Sequence, residues 1–301
     1  MPYAYPTSVR KTSVYLPETL KDELGELARR WQRSEAELLR LAVERLVRGA
    51  QAESVPAPAV RARPLGPALI GVGVGPSDPG LVTERAVRAL RDADCVFAAS
   101  IGPEAIGRAE AIVRAAAPDV RVERLVFAVA GTTAQRSASV AAAARTLIER
   151  LDAGDVVVFV TLGDPNVFST FPAVARAVVA ERPKVPVTTV PGVMAFQELA
   201  AQSNTVLTED GEYLAVYVAD ATSAELERLL ADDDCTVVVY KGVGDLAAVA
   251  DRLREHDRLD GAVVGEMLGL PGGRCAELDT VADQRASYLA TLIVPATRDA
   301  S

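Results

Sequence analysis

The chain has 301 residues, half of them apolar and 24% charged; the length suits two or three domains, and the balance excludes a disordered or fibrous chain. No apolar run reaches membrane-spanning length, and the opening MPYAYPTSVRK lacks a signal peptide's apolar core, so a cytoplasmic address with no membrane partner is expected. The net charge of −9 is uneven: residues 1–50 hold nine Lys/Arg against seven Asp/Glu, the rest 23 against 34, which predicts different partners for the two parts.

Taken in chain order, Lys11 to Leu16 alternates, with Thr12, Val14 and Leu16 facing one way and Lys11, Ser13 and Tyr15 the other. A lone strand cannot satisfy its own backbone, so it must pair with a second copy or a sheet edge. Pro17 and Glu18 open a helix carrying Leu20, Leu24, Leu27 and Trp31 at helical spacing. Ser34 to Glu37 spells a capping box, and the next helix turns Leu38, Leu39, Ala42, Val43 and Leu46 inward. A unit this small needs a partner to complete its core. The stretch from Arg10 to Val47 resembles the ribbon-helix-helix family of transcriptional repressors. That resemblance implies a homodimer whose paired strands enter the DNA major groove, with Lys11, Ser13 and Tyr15 as base readers and the helix start near Ser34 on phosphate. A purely architectural dimerisation clamp is the alternative.

The module is assigned residues 1–49, and the Ala- and Pro-rich residues 50–67 read as a semi-extended linker. From Ala68 onward, Val-rich apolar runs alternate with helical stretches. ALIGVGV, CVFAA, DVVVFVTL and VPVTTVP are predicted strands, with a helix at Thr83–Arg91. YLAVYVA, CTVVVYKG, GAVVGEM and YLATLIVP form a second series, with helices around Glu225–Leu230 and Leu246–Arg254. Apolar strands without polar alternation imply sheets covered on both faces, hence two α/β domains, 68–191 and 192–301, divided near Pro191 and Gly192. Cys95, Cys235 and Cys275 are far apart and outside any CxxC spacing, so neither a disulfide framework nor a metal site is expected. The single histidine, His256, lies in a polar helix end and reads as a surface residue, which disfavours histidine-dependent hydrolysis.

Four segments at strand ends carry the chemistry. GVGVGPSDPG at 71–80 fails the dinucleotide pattern, with Asp78 or Pro76 where the third glycine belongs, and lacks the Gly-Lys-Ser/Thr of a P-loop. Leu162-Gly163-Asp164-Pro165 follows DVVVFVT; VPGVMAF at 190–196 and VVVYKGVGD at 237–245 end later strands. Open α/β sheets bind ligands beyond the carboxyl ends of their strands, so these loops are expected to line one cleft.

Together these segments resemble the tetrapyrrole methylase family over residues 68–296, and GDPNVFSTF with VPGVMAFQELAAQS resembles the precorrin-2 C20-methyltransferases in particular. The resemblance implies a homodimeric enzyme that holds S-adenosylmethionine between two α/β domains and methylates precorrin-2 or cobalt-precorrin-2. Pro76 would border the cleft, Leu162, Gly163 and Asp164 would hold the methionine part near Ser169 and Thr170, Met194 and Ala195 would follow from the second domain, and Lys241 and Glu266 would close over adenosine. Ser77, Asp78, Phe168 and Met194 depart from the usual pattern. In-line methyl transfer needs alignment and exclusion of water, not a covalent nucleophile, and no catalytic base is identified. Asp164 could offset the sulfonium charge, or could simply cap a turn. Arg108, Arg136, Lys241 and Arg274 are candidate anchors for a polycarboxylate substrate in an otherwise acidic body. Two rival readings are a transcription regulator whose methylase body senses the cofactor or a corrinoid, and a methylase for another precorrin position.

Overall fold

A computed structural model describes residues 14–30, 33–40, 42–43, 63–128, 131–218, 223–240, 243–270, 272–287 and 289–298. The chain divides into two compact units, Met1–Ala62 and Arg63–Ser301. In the first, helix α1 spans Glu18–Arg30 and a second helical stretch, α2, covers residues 35–40 and 42–43. The Ser34 hydroxyl accepts from Glu37 N–H at 3.3 Å, which satisfies an orphan donor of the α2 start as the capping pattern predicts. Leu38 is buried, whereas Leu20 and Leu27 of α1 and Val43 of α2 are exposed. Lys11 and Ser13 lie outside the described residues. Val14–Leu16 has no strand assignment, and Tyr15 is 96% exposed.

The second unit contains two five-stranded sheets. In the first, β1 (Ala68–Gly73), β2 (Cys95–Ser100), β3 (Val122–Val126), β4 (Val156–Thr161) and β5 (Val187–Val190) lie in the order β3-β2-β4-β1-β5. All four pairings are parallel. Helices α3 (Glu84–Asp92) and α4 (Arg108–Ala116) cover one face, where Ala86, Leu90, Ile112 and Val113 pack on Ile70, Val72, Val96 and Val158. Helices α5 (Thr133–Asp152) and α6 (Phe171–Glu181) cover the other, where Leu147, Leu151, Val174 and Val178 meet Leu69, Phe97 and Phe159. Burial on both faces is why the central strands read as unbroken apolar runs.

The chain then passes through Pro191–Met194 into α7 (Ala195–Ser203) and the second sheet. Its strands are β6 (Tyr213–Val218), β7 (Cys235–Tyr240), β8 (Val263–Glu266), β9 (Arg274–Glu277) and β10 (Thr291–Val294), in the order β6-β7-β10-β8-β9. Only β6 and β7 run parallel; β10 is antiparallel to both β7 and β8, and β9 to β8. Helix α7 covers one face through Phe196 and Leu199, and α8 (Ala224–Leu230) with α9 (Leu246–Glu255) covers the other. Arg258 is buried beneath this sheet, its guanidinium donating to the carbonyls of Leu230, Asp232, Cys235 and Pro295 at 2.6 to 3.1 Å.

Two strands, β3 and β9, were not expected from the apolar runs; both are edge strands, and VERLV and RCAE read as polar because an edge buries less. His256 is the C-cap of α9, with Nε2 2.7 Å from Glu227 rather than free in solvent. Cys95 and Cys235 are buried, and burial pushes both thiols up.

One buried ionic cluster braces the edge of the first sheet. Glu110, in the first turn of α4, is fully buried and accepts from Arg124 of β3 at 2.7 and 2.9 Å and from Arg114 at 2.6 Å. Arg124 also donates to the Pro103 carbonyl at 2.9 Å, which ties down the loop between β2 and α4. The Arg124 hydrogen bonds outweigh desolvation and hold the Glu110 carboxyl below its ordinary range. A depressed folded pKa means the stabilisation is complete above the unfolded value of about 4.3 and is lost as pH falls through the folded value. Glu110→Gln is therefore expected to cost about 3 kcal/mol at neutral pH. Melting curves at pH 7 and below pH ~4 should show the variant's deficit shrinking as the wild type loses the same interaction.

Candidate functional site

The loops that leave the first sheet are packed backbone against backbone. A Cβ on Gly73, the last residue of β1, would lie 2.4 Å from the Gly163 carbonyl oxygen, and one on Gly192 would lie 2.1 Å from that same oxygen. No side chain fits at either position without moving main chain. Gly163 N–H donates to the Gly75 carbonyl at 2.8 Å, and Gly75 and Gly163 adopt φ of +80° and +66°. The loops after β1, β4 and β5 are thereby held as one surface.

Asp164 completes the lock. Its Oδ1 accepts from Asn166 N–H at 2.8 Å and its Oδ2 from Gly192 N–H at 3.1 Å, so one buried carboxylate joins the β4 loop to the β5 loop. Ser169 donates to the Pro165 carbonyl at 2.6 Å and accepts from Phe171 N–H at 3.2 Å, fixing the turn into α6.

Above these loops lies a cavity of ≈ 550 Å³ between the two sheets, within the range of small-ligand sites. Strand direction explains its position: β4 and β7 end on it, whereas β10 begins on it, Thr291 being in register with Tyr240 and Gly265. Pro76, Leu162, Gly163, Ser169, Thr170, Met194 and Ala195, all expected from sequence, line the wall. Two others are not on it. Asp164 does not line the cavity, since its carboxylate is turned into the loop junction. Glu266 is buried behind it, accepting from Arg274 at 2.5 Å and from Ser287 N–H, while its neighbours Gly265 and Met267 form the wall. Burial opposes the ionised form of Glu266, and the Ser287 and Arg274 contacts overcome it, leaving its pKa lowered. Lys241 lies outside the described residues.

Of the three described cations considered for an acidic substrate, Arg108, Arg136 and Arg274, only Arg108 lies on the wall, and it is the one charged residue lining the cavity among the described residues. Arg136 donates to the Gly131 carbonyl at 2.7 Å, and Arg274 is committed to Glu266 and Gln284. Sequence reasoning missed Thr161 and Tyr240. The Tyr240 hydroxyl accepts from Phe196 N–H at 3.0 Å, its ring is edge-on to both Phe168 and Phe196, and burial pushes its phenol up to about 12. Phe168 and Met267, both on the wall, hold φ of +47° and +46°, a conformation that costs a bulky residue about 1 kcal/mol or more. The mouth is apolar: Ile101, Ile106 and Phe168 are 75%, 56% and 50% exposed.

Residues 68–280 match the family model of the Tetrapyrrole (Corrin/Porphyrin) Methylases. The chain belongs to this family. A precorrin-2 C(20)-methyltransferase of Sinorhizobium is 29% identical over 242 residues, 77% of this chain and 96% of that protein. A cobalt-precorrin-2 C(20)-methyltransferase of Salmonella typhimurium is 30% identical over 231 residues, 75% of this chain and 95% of the relative. Among solved structures, the cobalt precorrin-4 methyltransferase CbiF is similar with a TM-score of 0.55 at 22% identity, over 76% of this chain and 94% of that one. The methyltransferase CobJ gives 0.56 at 21%, over 78% and 97%; these two likenesses concern the fold.

Tetrapyrrole methylases use S-adenosylmethionine as methyl donor, and the cavity fits it on three counts. Its volume suits a nucleoside joined to an amino acid. Its wall includes Gly163, where no side chain stands between a ligand and the peptide groups of the loop after β4. Its wall contains a buried hydroxyl, Thr161 Oγ1, with no hydrogen-bond partner of its own. Gly192→Ala should cost about 3 kcal/mol or more in a denaturant titration, because its Cβ meets rigid carbonyl rather than side chain. Gly66→Ala, whose Cβ meets nothing within 4 Å, should stay within about 0.5 kcal/mol of wild type.

Proposed function

We propose that this tetrapyrrole methylase transfers a methyl group to C20 of precorrin-2 or cobalt-precorrin-2 in cobalamin biosynthesis. The observation that carries the reading is the cavity itself: an apolar mouth and a buried, uncharged interior, with Arg108 as the one charged lining residue among those described. A flat macrocycle fringed with carboxylates matches the first, and a sulfonium nucleoside matches the second. Support for the C20 position comes from two relatives that bear that specificity in their names and align over most of both chains.

When bound, S-adenosylmethionine supplies an electrophilic methyl group on a positively charged sulfur. The residues of this chain then have three tasks. The loop Leu162–Asp164, with Ser169 and Thr170, holds the methionine part, Asp164 acting from beneath by fixing Gly192. Met194, Ala195 and the region of Lys241 and Glu266 close over the adenosine. Glu266 contributes by anchoring Arg274 and Ser287 rather than by touching the ligand. Pro76 and Phe168 border the side where the macrocycle enters, and closure of the apolar wall excludes water that would compete for the methyl. The electron-rich meso carbon brings its own nucleophilicity, so alignment accounts for most of the rate.

Residues 1–49 form, in this reading, a ribbon-helix-helix module that dimerises the enzyme and binds DNA, joined to the body by the linker 50–67. It is supported by the Ser34 cap and by the exposed apolar residues of α1 and α2, which a partner copy would cover. A regulator whose body only senses its ligand is the rival, and the same preparation separates the two.

Incubation of the purified protein with precorrin-2 and methyl-labelled S-adenosylmethionine should give one labelled, trimethylated product by mass analysis. Unlabelled substrate, or label at another carbon, contradicts the assignment. Arg108→Ala should raise KM for the tetrapyrrole about three- to tenfold and leave kcat within about twofold. Lys11→Ala with Tyr15→Ala should abolish sequence-specific gel shifts while methyl transfer persists; loss of both together would point to a purely architectural module.

A further inference from the structure

Strand β4 reads VVVFVT, and its last residue stands apart from the rest. Thr161 is 6% exposed, lines the cavity, and its Oγ1 is sealed from solvent without a hydrogen-bond partner. Its carbonyl accepts from Val74 N–H at 3.0 Å, and the residue is in register with Gly73 of β1. The hydroxyl has no such partner.

A buried hydroxyl without a partner destabilises a fold, and valine has nearly the same shape without that penalty. The five residues before Thr161 are all apolar, so nothing in the strand's packing calls for a polar group at its end. The hydroxyl is placed at the carboxyl end of the central strand of the sheet, immediately before the Leu162–Asp164 loop. It is a buried part of the cavity wall, in contrast with the exposed Ile101 and Ile106.

We infer that Thr161 is a binding residue for the methyl donor, its hydroxyl forming a hydrogen bond with a polar atom of the S-adenosyl ligand. The inference rests on the assignment of this cavity to that ligand. It makes the unsatisfied group of the ligand-free protein a ligand contact in the complex, so stability and affinity should respond to its removal in opposite directions.

The test uses the full chain and S-adenosylhomocysteine as the probe, with titration calorimetry and ligand-free melting on wild type, Thr161→Val and Thr161→Ser. The valine variant should bind about five- to tenfold more weakly and melt at the same temperature or slightly higher, while the serine variant binds within about twofold of wild type. Equal affinity of wild type and Thr161→Val overturns the inference, as does a valine variant that loses affinity and melting temperature together while serine fails to rescue it. Wild-type protein that binds no S-adenosylhomocysteine overturns the cavity assignment first, and the role of Thr161 with it.

Discussion

Everything at the site depends on the contact of three main-chain segments with no side chain between them. Gly73, Gly163 and Gly192 end or follow three neighbouring strands, and their approach is so close that a single methyl group at Gly73 or Gly192 would overlap the carbonyl of Gly163. Asp164 then bonds the junction from the inside. Loops with larger residues would stand apart, and the cavity floor would become a set of independent, mobile segments. Here they form one rigid surface to which a ligand can be fitted without reordering.

The second sheet supplies the opposing wall by a different route. Because β10 runs against β7 and β8, its start, rather than its end, joins the ends of those two strands at the cavity. The result is a chamber whose two walls come from two sheets, each packed on its own apolar clusters. Among the described residues its lining is uncharged apart from Arg108, and two of its residues, Phe168 and Met267, are held in left-handed backbone conformations. Such a chamber is suited to orienting a reactive donor against an acceptor while keeping water out, which is what transfer of a methyl group from sulfur to carbon requires.

Much of this was legible in the residues. The unbroken runs ALIGVG and VVVFVT announced central parallel strands, and the Gly- and Pro-containing segments directly after them marked the loops that converge. Seven of the expected ligand-binding positions line one cavity. Asp164 and Glu266 were legible as important but not as to direction: a carboxylate beside a glycine loop reads equally as a ligand contact or as a brace, and the hydrogen bonds from Gly192 N–H and Arg274 appear only in the structure. The edge strands β3 and β9 escaped because half-exposed strands lack the apolar signature of central ones. Thr161 and Tyr240 escaped for a different reason. A hydroxyl at a strand end has no sequence signal until its lack of a partner, or its place in a wall, is seen.

The central claim is that the glycine-packed loops of the first sheet and the strand ends of the second grip one S-adenosyl ligand. Hydrogen exchange with and without S-adenosylhomocysteine tests it directly. Protection concentrated in residues 73–77, 161–170 and 190–196, with smaller effects around 265–268, is the expected result. Unchanged exchange in those segments, or protection centred elsewhere in the chain, would contradict the account.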